Sequence, residues 1–156
     1  MYTIPEIEDK IQALYEYLEA NAYDTEGDSW YHGHNPIIIS HINNFSATEC
    51  KKLVSEIRSW KEDILIHLAD PFLDISNPDL DGYFLYCQIF LKISDLTSQE
   101  YLLGNIHLVN AIPKGSQTLH FYLELEQKIT SVNKKLNGNY GFSVEQIKLK
   151  INTEKA

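Results

Sequence analysis

The sequence predicts an all-α fold, an antiparallel helical bundle or a short helical-repeat-like stack of five to seven helices. Three observations carry that prediction. Apolar residues recur at alternating spacings of three and four, which gathers them on one helical face. Several of these stretches open on Ser/Thr-x-x-Glu/Gln, the pattern in which side chains satisfy the unpaired N–H groups of a first turn. Most connections are short turns holding proline or glycine, and short connections favour antiparallel neighbours. With 156 residues, 44% of them hydrophobic, residues 1–156 read as one domain able to bury a core.

The elements follow in order. Thr3-Ile4-Pro5-Glu6 reads as a capping box, and Ile7, Ile11, Leu14 and Leu18 continue on one face to about Asn21. Residues 23–44 show no sustained period and contain Gly27, Gly33 and Pro36. They read as a long loop, with a short helix or strand at Pro36-Ile37-Ile38-Ile39. A loop of that length in a small domain points to function. Ser46-Ala47-Thr48-Glu49 starts a second helix whose stripe of Cys50, Leu53, Ile57, Trp60 and Ile64 reaches Ala69. A kinked restart near Ser59-Trp60-Lys61-Glu62 is the alternative, and Asp70-Pro71 is the expected stop.

Asn77-Pro78 opens the next helix, apolar nearly all round from Tyr83 to Ile93 and therefore expected to be buried. Gly82 early in it implies a close neighbour. Thr97-Ser98-Gln99-Glu100 opens another, ending before Pro113. Tyr122, Leu125, Ile129, Val132 and Leu136 then form a seam that Gly138 stops. The tail, residues 139–156, is ambiguous. Ser143-Val144-Glu145-Gln146 could cap a helix, whereas Ile147, Leu149 and Ile151 alternate with lysine as in a strand. A lone strand has no obvious partner, so helix or disorder is expected.

Charge is the most informative total. Twenty-two acids oppose thirteen bases, a net charge of −9. Met1 to Trp30 holds eight acids and one base; Glu62 to Pro113 holds the same numbers. Such a balance opposes binding to nucleic acid or an anionic membrane and favours a positively charged partner. No signal-type segment opens the sequence and no apolar run could span a bilayer, so a soluble cytoplasmic protein is expected. Cys50 and Cys87 read as buried reduced thiols.

No sequence motif announces a reaction. Gly-x-Ser-x-Gly, P-loop and dinucleotide fingerprints do not occur, so no catalytic residue is assigned. His32 and His34, with His41 or Asp28, are the best metal candidates, but they lack any established zinc spacing. No metal and no cofactor is therefore expected. Asp79 and Asp81 fit first-turn acids favoured by the helix dipole. His67, His107 and His120 sit at the edges of apolar stripes and read as structural.

In small size, acidity, helical content and absence of catalytic motifs, the chain resembles the immunity proteins of bacterial toxin systems. These include the partners of contact-dependent growth-inhibition and other polymorphic toxins. The residues nearest to a pattern run from Asp70-Pro71 through Asn77-Pro78 and the aromatic helix to Tyr101-Leu102-Leu103-Gly104-Asn105. The resemblance implies an antidote, not an enzyme, that covers the active site of one cognate basic toxin, commonly a nuclease. No functional residue carries over by motif. From charge and aromatic content, the expected contact surface is Asp24, Glu26, Asp28, Trp30 and Tyr31 with Asp70, Asp74, Asp79 and Asp81. The alternatives are a helical adaptor or regulatory protein, and a metal-dependent enzyme using His32 and His34.

Overall fold

A computed structural model describes residues 3–156. The fold is all-α, with no strand among the described residues. The backbone gathers into two compact units, Met1–Tyr86 and Cys87–Ala156, described in turn.

In the first unit, α1 (Lys10–Asn21) buries Ile11, Ala13, Leu14, Tyr17 and Leu18. It starts seven residues after the Thr3 pattern, because Asp9 is the cap: its Oδ1 accepts the backbone N–H groups of Ile11 and Gln12 at 3.1 Å each. Ile7 precedes the helix and is exposed.

Residues 23–44 are the largest departure from expectation. In place of a long loop, α2 (Gly27–Ser29) leads into a π-helical turn, Trp30–His34, and then α3 (Asn35–Asn43). The buried side chains are Trp30, His34, Ile38 and Ile42, one every four residues. A π turn holds more residues than an α turn, which keeps Trp30 and His34 on the inner side. Pro36 falls within the first turn of α3, directly after Asn35, whose N–H bonds back to the Trp30 carbonyl across the π turn.

Helix α4 (Ala47–Glu56) has the expected capping box with both halves formed: Ser46 accepts from Glu49 N–H, and Glu49 accepts from Ser46 N–H at 2.9 Å. A 3-10 turn, Ile57–Ser59, follows. The chain then breaks at Trp60 (φ −74°, ψ 150°) and restarts as α5 (Glu62–Leu65), a 3-10 turn Ile66–Leu68 and α6 (Ala69–Asp74). The kinked alternative is the observed one. Pro71 does not stop the chain; it lies buried in the first turn of α6, where proline is tolerated.

Asn77 is not a helix cap. It is buried, donating to the carbonyls of Ile42 and Phe45 at 3.0 Å each and accepting from Asp79 N–H. It thereby pins the 77–80 turn to the end of α3. The helix expected there begins later, as α7 (Gly82–Lys92), with Asp81 Oδ1 accepting from Phe84 N–H at 3.1 Å. Gly82 is obligatory: a Cβ there would stand 1.8 Å from the carbonyl oxygen of Phe72. Leu85, Tyr86, Cys87, Ile89 and Phe90 of α7 are all buried.

In the second unit, Asp95, not Thr97, caps α8 (Leu96–Leu103). The expected single helix to Pro113 is interrupted at Gly104 and Asn105 and resumes as a 3-10 turn, Ile106–Ala111. Helix α9 (Leu119–Lys135) buries Tyr122, Leu125, Ile129 and Val132, the expected seam. It ends in a turn where Asn137 (φ 62°) and Gly138 (φ 74°) are left-handed and Gly138 N–H bonds to Asn133 O. The tail is helical: α10 (Gly141–Lys155) packs along α9 and the 106–111 turn. Its apparent strand alternation resolves on the helix, with Ile147 and Ile151 buried at a spacing of four and Leu149 exposed.

Candidate functional site

The expected contact residues divide into a supporting set and an exposed set. Asp24 and Trp30 belong to the first. His34, fully buried on the π turn, places Nδ1 2.7 Å from the Tyr17 hydroxyl and Nε2 3.0 Å from Asp24 Oδ2. Carboxylate oxygens only accept, so Nε2 carries a hydrogen; in the neutral ring Nδ1 then accepts from Tyr17. The His34 bond, followed by the N–H of Glu26, holds the Asp24 carboxyl below its usual range. Trp30 donates from Nε1 to the Asp24 carbonyl at 2.7 Å. Its ring stacks on His67, centroids 4.0 Å apart and planes 5° from parallel. Burial pushes the His67 imidazole below its ordinary value. Tyr17, Asp24, Trp30, His34 and His67 thus lock the π turn onto α1 and the 66–68 turn.

That arrangement separates the two histidines singled out in the sequence. Both ring nitrogens of His34 face Tyr17 and Asp24, while His32 is exposed with its ring edge-on to Tyr31. His41 bonds through Nε2 to the Lys10 carbonyl at 2.8 Å. Among the described residues no three His, Cys, Asp or Glu side chains converge on a point where an ion could sit. Cys50 and Cys87 are both buried thiols outside any disulfide.

Of the remaining residues, Glu26, Asp28, Tyr31, Asp74 and Asp79 are exposed, while Asp70 and Asp81 are half-buried. Asp81 is committed to the start of α7. The structure brings together one pair from the two acidic segments: Tyr31 and Asp74 line a single open depression of about 360 Å³, with His32, Asn35, Pro36 and Ile39. Tyr31 is 71% exposed. The π turn aims it outward beside the inward-facing Trp30. Sequence reasoning weighed His32 and His34 only as metal ligands and missed Asn35 and Ile39. The four-residue recurrence of Trp30, His34, Ile38 and Ile42 carried the signal, and it is visible only if histidine is counted as a core residue.

The unit carrying this depression is strongly acidic. Met1–Tyr86 contains sixteen acids and five bases, a net charge of −11, whereas Cys87–Ala156 contains six acids and eight bases, net +2. Lys52 pairs with Asp9 at 2.7 Å and Glu56 at 3.8 Å, and Lys10 with Glu49 at 3.8 Å. None of these pairs involves Glu26, Asp28, Asp74 or Asp79, which have no lysine or arginine counter-ion among the described residues. An unneutralised acidic surface with an exposed tyrosine is suited to steering and holding a basic partner. No protein-family model, curated protein or solved structure matches the chain.

Proposed function

We propose that the chain is a bacterial immunity protein, a cytoplasmic antidote that binds and neutralises one basic protein toxin, a nuclease, by covering its active site. The observation that carries this reading is the concentration of charge: −11 in the first unit, with no lysine or arginine counter-ion for Glu26, Asp28, Asp74 and Asp79 among the described residues. Carboxylates held in this way stand in for the phosphates of a nuclease substrate opposite its lysines and arginines. The exposed Tyr31 supplies the aromatic contact that slows dissociation.

The test is affinity capture from the native host, followed by inhibition of the captured protein. Recovery of a basic nuclease whose cleavage is blocked stoichiometrically is the expected result, with its gene beside that of this chain. Asp74→Lys with Asp79→Lys should lower the association rate at least tenfold at low salt and flatten its dependence on ionic strength. A captured partner that is acidic, or that retains full activity when bound, would overturn the reading.

A further inference from the structure

We propose that the depression between the π turn and the end of α6 is a socket for one arginine side chain of a partner protein. This deepens the immunity reading and rests on it for the identity of the partner, but not for the chemistry of the socket.

Three features specify the occupant. Asp74, the last residue of α6, lines the depression, is exposed, and has no counter-ion among the described residues. It also lies where the final carbonyls of a helix add negative potential. Tyr31 offers a largely exposed ring beside it, and an aromatic face attracts a delocalised cation. Pro36 and Ile39 supply an apolar wall for the methylene stem, and the Asn35 amide can accept one further N–H. Carboxylate, aromatic face and apolar wall together fit a guanidinium better than an ammonium. The planar fork can stack and bond in two directions at once, whereas a strongly hydrated point charge cannot.

Among the described residues no lysine or arginine pairs with Asp74. Lys10 and Lys52 are committed to Asp9, Glu49 and Glu56. The scaffold beneath the socket is also fixed in advance, since Trp30 and His34 are held by Asp24, Tyr17 and His67. A scaffold fixed before the partner arrives leaves only the exposed Tyr31 and Asp74 side chains to be ordered on binding.

The test uses the full chain and three blocked tripeptides, Gly-Arg-Gly, Gly-Lys-Gly and Gly-citrulline-Gly, titrated by NMR. The expected result is saturable shifts at Tyr31, His32, Asn35 and Ile39 with the arginine peptide. Binding should be at least threefold weaker with lysine and absent with citrulline. Asp74→Asn and Tyr31→Ala should each weaken arginine binding at least fivefold without moving the melting temperature, because both side chains are exposed. Equal shifts with citrulline, shifts spread evenly over the acidic surface, or wild-type affinity in both variants would overturn the socket. Arginine binding with no toxin recovered from the host would sink only the immunity reading. Toxin neutralisation indifferent to both variants would sink only the socket.

Discussion

At the scale of single residues, the buried polar groups carry consequences that can be measured. The Asp24 carboxyl titrates below its usual 3.8 in the folded chain, so its contribution to stability is complete above that value and is lost as pH falls through the lower folded value. Asp24→Asn should therefore lower the urea midpoint at pH 6, and the gap from wild type should close in strong acid. A gap unchanged with pH would mean that the charge contributes nothing. Lys150 is 2% exposed, donates to the Ile112 carbonyl at 2.5 Å and pairs with Glu154 at 3.1 Å. Glu154 in turn accepts from Gly115 N–H, the chief reason its carboxyl lies below the usual range. Lys150→Ala deprives the Ile112 carbonyl and Glu154 Oε2 of their cation and should cost about 3 kcal/mol. Equilibrium denaturation checks it, and a loss below about 1 kcal/mol would show that water replaces the ammonium without penalty.

Among the elements, the contact of α7 with the end of α6 gives the sharpest test. Gly82→Ala must displace the Phe72 backbone, since the new methyl would lie 1.8 Å from its oxygen, and should cost about 3 kcal/mol or more. Gly27→Ala meets nothing within 4 Å in α2 and should leave stability unchanged or raise it by about 0.5 kcal/mol. Paired denaturation curves distinguish the two sites. The same elements show what local sequence can convey. The close approach at Gly82, the Ser46 capping box and the α9 seam were legible because each depends on a few adjacent residues. The true starts at Asp9, Asp81 and Asp95 were not, because a better-matched pattern stood nearby and packing chose between candidate caps. Residues 23–44 were misread because the π turn shifts the apolar period and its core includes a histidine. Pro71 was misread because proline is destructive inside a helix yet harmless in its first turn. Of the site, the acidic and aromatic side chains were visible in the sequence, but the meeting of Tyr31 with Asp74 depends on tertiary packing of the π turn and α6.

At the scale of the whole molecule, the dominant feature is the imbalance of charge, −11 in Met1–Tyr86 against +2 in Cys87–Ala156. Self-repulsion within the first unit opposes compaction and is screened by salt. Raising sodium chloride from about 0.01 M to about 0.5 M should therefore raise the denaturation midpoint, since exposed ion pairs such as Lys52–Asp9 contribute too little to reverse the trend. A falling midpoint would show that those pairs outweigh the repulsion. No helix among the described residues is long and apolar enough to cross a membrane. Both tryptophans, Trp30 and Trp60, lie in Met1–Tyr86. Indole fluorescence is consequently a private reporter for that half of the chain, whereas circular dichroism sums the helices of both. Coincident melting by the two signals would mark one cooperative transition, and separated curves would reveal two.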